Sequence, residues 1–387
     1  MTTNRSRWFW GLLPLALLAG LAVVVTSTGL LYALRSNAPP VEELTFDRVR
    51  LSPTLITVDI VNGGPDPVTV AQVMVDDAFW TFTIRPGSTI KRLGRATIEI
   101  PYPWVQDEAH EITLLTSTGV TFSREIAVAR ETPALDAGFF GLFTLIGLYV
   151  GVIPVVIGLL WYPFLRRLDR QWIHFALALT AGLLVFLGAD ALHEALEAGA
   201  GVAGAYQGTL IVVVGALGTL LVLQAVAGNR ARREGAAGRR TVAWLIALGI
   251  GLHNLGEGLA IGAAYALGEV ALGAFLIIGF MLHNSTEGLG IVAPIAKDRP
   301  RLGTLAGMGL LAGVPTIMGA WLGGAAYSPI LATLFLSIGV GAIAQVVVAL
   351  YRVVAAERGG EPMWNPVTAG GVLAGLAVMY GTGLLVA

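Results

Sequence analysis

The sequence has no cysteine in its 387 residues. Disulfides, thiolate metal sites and cysteine nucleophiles are therefore excluded, and any metal must be held by imidazole, carboxylate, amide or water. Charge is scarce as well: only 13% of residues are Asp, Glu, Lys or Arg, the net charge is −1, and the lysines are Lys91 and Lys297 alone. No basic excess points to nucleic acid, so the charges matter by their positions. What is abundant is apolar surface. Hydrophobic residues make up 55% of the chain and glycines number 50, with a mean hydropathy of +0.75, the composition of a membrane protein.

The first apolar stretch, Trp8 to Leu34, follows Arg5 and Arg7 and exceeds the ~7 to 15-residue apolar core of a cleavable signal peptide. Residues 1–36 are expected to form an uncleaved transmembrane anchor, with cleavage near Ala38, at Ser36-Asn37-Ala38, as the alternative. Over residues 37–134 the hydropathy falls and period-2 runs appear, such as Leu55-Ile56-Thr57-Val58-Asp59-Ile60-Val61 and Val68-Thr69-Val70-Ala71-Gln72-Val73-Met74-Val75. Turn clusters such as Asn62-Gly63-Gly64-Pro65 and Arg85-Pro86-Gly87 separate them, which predicts a small antiparallel β-sandwich. Its single histidine, His110, stands near Glu108 and Glu111 and is expected to be a solvated loop residue.

Residues 135–387 hold eight apolar segments, at about 137–161, 173–197, 206–228, 241–265, 270–295, 302–325, 329–354 and 366–386. Each is long enough for the ~20-residue helix that crosses a bilayer. The expected fold class is an all-α polytopic bundle of eight transmembrane helices, preceded by one anchor helix and a small all-β sandwich domain. Basic residues fall in alternate links. Arg166, Arg167 and Arg170 lie in the first; Arg230, Arg232, Arg233, Arg239 and Arg240 in the third; Lys297, Arg299 and Arg301 in the fifth; and Arg352 and Arg358 in the seventh. The even links have no lysine or arginine. The positive-inside bias places the odd links in the cytoplasm, and the β-domain and C-terminus outside a cell (inner) membrane.

Within the fourth and fifth segments one pattern occurs twice: His253-Asn254-Leu255-Gly256-Glu257-Gly258 and His283-Asn284-Ser285-Thr286-Glu287-Gly288. A carboxylate at the bilayer centre costs at least ~2.5 kcal/mol, so two of them, each with a histidine, require a functional reason. An i,i+4 spacing stacks His253 on Glu257 and His283 on Glu287. Neighbouring antiparallel helices joined by Leu267-Gly268-Glu269 can bring the four side chains to one depth. Two imidazoles and two carboxylates suit a divalent first-row cation by charge and donor type. Asn254 and Asn284 point about 100° away, toward a second site or a neighbouring helix. Interhelical glue is the plainer reading of one such pair, and duplication at matching depth weakens it.

An eight-helix domain with His-Asn-x-x-Glu-Gly in its fourth helix and a related motif in its fifth resembles the ZIP (Zrt/Irt-like) family of divalent metal transporters over roughly residues 135–387. The resemblance implies metal ligation by His253, Asn254, Glu257, His283, Asn284 and Glu287. It implies a secondary transporter, not an enzyme, that moves a divalent cation toward the cytoplasm. Zinc is the first candidate, followed by iron, manganese, cadmium, nickel or cobalt, as cargo and not as cofactor. Three features depart from the family pattern. Asn229 to Thr241 is short and arginine-rich where relatives commonly carry histidines. Gly256 and Thr286 stand where a proline often precedes the glutamate. Residues 302–325 hold no Asp, Glu or His, so a single well-formed metal site is expected.

The second segment adds Asp190, His193, Glu194 and Glu197. Asp190, His193 and Glu197 share a face by i, i+3 and i+7 spacing, either as an entrance relay with Asp190 its leading member or as a polar helix end. His174, beside Trp172, is expected to be an interfacial anchor, and Gln345 to be interhelical glue. Two other functions compete with transport: an intramembrane metal-dependent hydrolase, although the usual His-Glu-x-x-His order is missing, and a metal sensor that uses the β-domain. The expected partners are the lipid bilayer and a divalent metal ion, with no nucleic acid. A homodimer and an unidentified β-domain partner are left open.

Overall fold

The computed structural model describes residues 3–27, 41–228, 235–266, 270–358, 362 and 364–386. The cleavage site at Ser36-Asn37-Ala38, Arg230, Arg232 and Arg233, and the Leu267-Gly268-Glu269 link lie outside the described residues. The chain divides into two compact units, Met1–Val41 and Glu42–Ala387. The first contains helix α1, Thr3–Ser27, whose described apolar part is Leu12–Val25.

The second unit begins with nine strands: β1 Leu44–Ser52, β2 Leu55–Asn62, β3 Val68–Val75, β4 Ala78–Trp80, β5 Thr83–Arg85, β6 Thr89–Ile90, β7 Arg95–Ile100, β8 His110–Thr116 and β9 Thr121–Ile126. They form two sheets, β1-β2-β7-β5 and β4-β3-β8-β9, with β6 paired to β3, and every pairing is antiparallel. The period-2 pattern explains the packing. Ile56, Val58 and Ile60 of β2 and Ile98 and Ile100 of β7 point inward with no exposed surface, against Val73, Ile112 and Leu114 of the other sheet.

His110 is not a solvated loop residue. It opens β8 and is 5% exposed, with Nδ1 2.7 Å from Asp76 Oδ2. The two-residue turn Asp76-Asp77 has φ of 51° and 63°, as a type I′ hairpin requires, and it folds Asp76 back onto β8, where Oδ1 accepts from the Glu111 amide. The polar neighbours Glu108 and Glu111 conceal this, because strand alternation sends His110 inward while Glu111 stays exposed.

Beyond the sandwich the chain is helical. The first span, Ala137–Leu165, is assembled from α2 (Ala137–Gly147), a π-helical turn (Leu148–Val152), α3 (Ile153–Leu159) and α4 (Tyr162–Leu165). It is followed by α5 Arg170–Ala200, α6 Gly208–Ala227, α7 Ala236–Ala266, α8 Val270–Val292, α9 Leu302–Ala326, α10 Pro329–Arg358 and α11 Pro366–Val386. Among the described residues seven helices are long and apolar enough to cross a membrane. The eighth, α11, forms over 21 residues, but its described apolar stretch is only Pro366–Gly381.

α7 packs on α9, and α3 on α8; α5 packs on α10 and α11, and α10 reaches α6 and α7. Small residues permit the closest crossing: a Cβ on Gly319 or Gly323 of α9 would lie 2.1 Å from the Leu255 or Leu259 carbonyl oxygen of α7. Gly303, in the other glycine pair of that helix, has no neighbour within 4 Å. On one face of the bundle the basic links meet: Lys297 donates to the Leu168 carbonyl (2.5 Å), and Arg239 pairs with Asp298 (2.5 Å). The sandwich attaches to even links, with the Gly204 amide bonded to Glu43 Oε1 (2.6 Å) and Arg48 Nη1 to the Ala325 carbonyl at the end of α9 (2.9 Å).

Candidate metal site

Both copies of the pattern lie on unbroken helix. α7 and α8 run through Gly256 and Thr286 without a proline. In α8 the hydroxyls of Ser285 and Thr286 instead donate to the carbonyls three residues back, Leu282 (2.7 Å) and His283 (2.6 Å), the kind of back-bonding that bends a helix.

All four acid and imidazole side chains are buried, from 3% exposure at Glu257 and Glu287 to 8% at His283. The structure brings them together. Glu257 Oε1 lies 3.0 Å from His253 Nε2 and 2.5 Å from His283 Nε2, and Oε2 accepts from Asn284 Nδ2 at 3.0 Å. The two imidazole rings are 6.4 Å apart. Glu287 is the counterpart by sequence, yet among the described residues neither of its carboxylate oxygens has a hydrogen-bond partner. One ligand atom from each of His253, His283 and Glu287 lies within 4.8 Å of the other two, a spacing that admits a metal ion.

The asparagines have structural work to do. Pro154 has no N–H, so the Val150 carbonyl loses its i+4 donor at the π-helical turn, and Asn284 Nδ2 supplies the missing bond at 3.0 Å. Asn254 Nδ2 donates to the Ala312 carbonyl at 3.1 Å, one residue beyond the Leu311 carbonyl whose i+4 donor Pro315 lacks. Each amide nitrogen is thus engaged, while Oδ1 of both residues is buried without a donor. With the two Glu287 oxygens, four buried acceptors lack a proton to accept. An unpaired buried acceptor costs ~1 to 3 kcal/mol, and a cation among such oxygens removes that cost.

Sequence reasoning missed this pairing of Asn284 with a proline-released carbonyl, although a proline inside an apolar segment was a readable signal. It also missed Thr316, which is fully buried with no partner for Oγ1; a Cβ on Gly258, next to Glu257, would lie 2.1 Å from the Thr316 carbonyl. Gln345 is 1% exposed, and its Oε1 is likewise unpartnered. His174 is 7% exposed and so is not an interfacial anchor, whereas Trp172 beside it is exposed.

On α5, Asp190 is exposed, as are His193 and Glu197, whose side chains approach to 3.3 Å. Glu194 is the half-buried member and lies within electrostatic range of Asp190, His253, Glu257 and His283. The inward face of α5 runs through Leu187, Ala191 and Ala195, and Glu194 lies beside it.

Buried imidazole and carboxylate donors on adjacent helices of a polytopic membrane protein mark a functional site, because ionisable groups inside the bilayer are costly and rare. The family model for ZIP zinc transporters matches residues 224–386, the stretch holding both copies of the pattern, so that segment is similar to the ZIP family. No curated protein matches the chain.

Proposed function

We propose that the protein is a secondary transporter that carries a divalent cation, zinc first among the candidates, toward the cytoplasm through a site formed by His253, Glu257, His283 and Glu287. The observation that carries this reading is Glu287: a carboxylate buried inside an apolar helix, with both oxygens unpartnered, beside two imidazoles. A divalent cation would balance the two carboxylates and take the place of the protons on the histidine Nε2 atoms, since metal binding releases the protons its ligands carry. Asn254 and Asn284 present their free Oδ1 atoms as weaker oxygen donors and hold the helices in register. The family match speaks for transport over hydrolysis. The inward direction is supported by the basic odd links, which gather on one face of the bundle while the sandwich attaches to the even links.

The test is metal uptake into proteoliposomes by the wild type, Glu257→Ala and His283→Ala, with binding measured alongside. Both variants are expected to lose uptake. Wild-type uptake by either one, or no divalent-ion binding by the wild type, overturns the assignment.

A further inference from the structure

A cavity of ≈ 520 Å³ lies between the β-sandwich and the helices. Its helix side includes Glu194 and Glu197 of α5, Ala260 of α7 and Leu276 of α8. Ala260 follows Glu257 by three residues and Leu276 precedes His283 by seven, so the cavity opens within ~5 Å and ~11 Å of helical rise from the two motif helices' site residues. Glu194 links the two, because it lines the cavity and interacts electrostatically with His253, Glu257 and His283. The other side is built by the sandwich, with Asp47, Arg48 and Val49 of β1 and Arg124 of β9. The sandwich is held there at two points, Glu43 to the Gly204 amide and Arg48 to the Ala325 carbonyl.

A second cavity, ≈ 570 Å³, lies on the other side of β1 and includes Asp59 and Arg95. Asp47, Arg48 and Tyr327 line both cavities and so form the partition between them. Size and charge indicate the occupant. At ~30 Å³ per water, a divalent ion with six waters needs ~200 Å³, so the inner cavity accepts it fully hydrated. The charged groups on the helix side are acidic, Glu194 and Glu197, whereas Arg48, Arg124 and Arg130 line the sandwich side with Asp47 and Glu125. That gradient draws a cation away from the sandwich and toward Glu194.

We propose that this cavity is the antechamber through which a hydrated divalent cation reaches the His/Glu site, admitted past Asp47 and Arg48 of the sandwich and handed on by Glu194. The inference rests on the proposed transport reading and assigns the β-domain a part in it: the domain walls the cargo's route. Water is lost at the His/Glu site, since the antechamber is too wide for its carboxylates to surround a bare ion.

The chain's lack of cysteine supplies a clean test. Val49→Cys and Ala198→Cys place single thiols on opposite walls, and Ala78→Cys, exposed on β4, is the control. Each full-length protein is labelled with a bulky membrane-impermeant thiol reagent, and cobalt(II) is followed both as uptake into proteoliposomes and as association with the purified protein. Labels at 49 and 198 are expected to slow both at least about tenfold, and the label at 78 to change neither. Asp47→Asn and Glu194→Gln, which add no bulk, are expected to slow cobalt association about threefold or more at low salt. Undiminished rates with labels at 49 and 198 overturn the antechamber and leave the metal site standing. Binding without uptake by unlabelled protein overturns transport, and the association rate then decides the antechamber. No cobalt binding by unlabelled protein overturns both.

Discussion

The two copies of the His-Asn-x-x-Glu-Gly pattern are alike in sequence and opposite in bonding. Glu257 receives His253, His283 and Asn284, while Glu287, equally buried, receives no hydrogen bond. The difference arises outside the pattern. Asn284 is drawn toward the first span by the Val150 carbonyl that Pro154 leaves open, and this places it over Glu257. Asn254 is drawn the other way, to Ala312 on α9. Glu257 is thus the hub that holds the site together without metal, and Glu287 is the group a cation would complete.

Substituting the two glutamates tests that asymmetry with the largest expected effect. Glu257→Ala and Glu287→Ala should each weaken divalent-metal binding by about 100-fold or more, at or beyond the ~10 to 100-fold lost when only a supporting residue is removed. They should part in the metal-free protein. Without Glu257, three buried donors lose their acceptor at ~1 to 3 kcal/mol each, so its melting temperature should fall by several degrees. Removing Glu287 deletes a buried carboxylate that has no partner, so the metal-free protein should be as stable as the wild type or more so. Equal destabilisation by both substitutions would show the asymmetry to be wrong.

A smaller effect separates the asparagines. Asn284→Ala strands the Val150 carbonyl and one Glu257 oxygen, whereas Asn254→Ala removes a second donor from the Ala312 carbonyl, whose i+4 donor in the helix is the Thr316 amide, so the costs should be ~2 to 3 and at most ~1 kcal/mol. Pro154→Ala restores an amide to Val150. In a double-mutant cycle it should therefore reduce the Asn284→Ala penalty by ~0.5 to 1 kcal/mol, read from thermal or denaturant unfolding. Additive penalties would detach the asparagine from the proline.

Which parts of this were legible in the sequence follows from how far each interaction reaches. The i,i+4 spacing of His253 with Glu257 and of His283 with Glu287 is local and determines the shared face, and strand alternation in Leu55 to Val61 determines the sandwich core in the same way. The partner of each carboxylate depends on a third element, the π-helical turn at Leu148–Val152, more than a hundred residues away in the chain. Asp190 and Glu194 differ by four residues, or ~40° around a helix; only the packing of α5 on α10 and α11 turns Glu194 inward and leaves Asp190 exposed. The face shared by Asp190, His193 and Glu197 was therefore readable, and the inward turn of Glu194 was not.

The histidine–carboxylate pair of the sandwich, His110 with Asp76, sharpens the comparison from the other side and carries the smallest expected effect. Here every partner is supplied: His110 Nε2 accepts from the Val105 amide, and Asp76 accepts from His110, Tyr102 and the Glu111 amide. With no spare acceptor facing the histidine, the pair should not bind metal, and its signature should be acid sensitivity. Partial burial pushes the Asp76 carboxyl upward, but the bonds from the Glu111 amide, His110 and Tyr102 outweigh it and hold the group below its usual value of 3.8. A carboxyl depressed in the folded state binds its proton more readily when unfolded, so its contribution is complete above ~4 and is lost as pH falls through the folded value. Stability of the wild-type sandwich, followed by near-UV circular dichroism, should be level in this respect between about pH 7 and 5 and decline below about 4. Asp76→Asn should start lower and show a shallower decline over the acid range, with metal binding at the membrane site unchanged. An equally steep acid decline in Asp76→Asn would place the sandwich's acid sensitivity elsewhere, and a change in metal binding would mean that the two histidine–carboxylate sites are coupled.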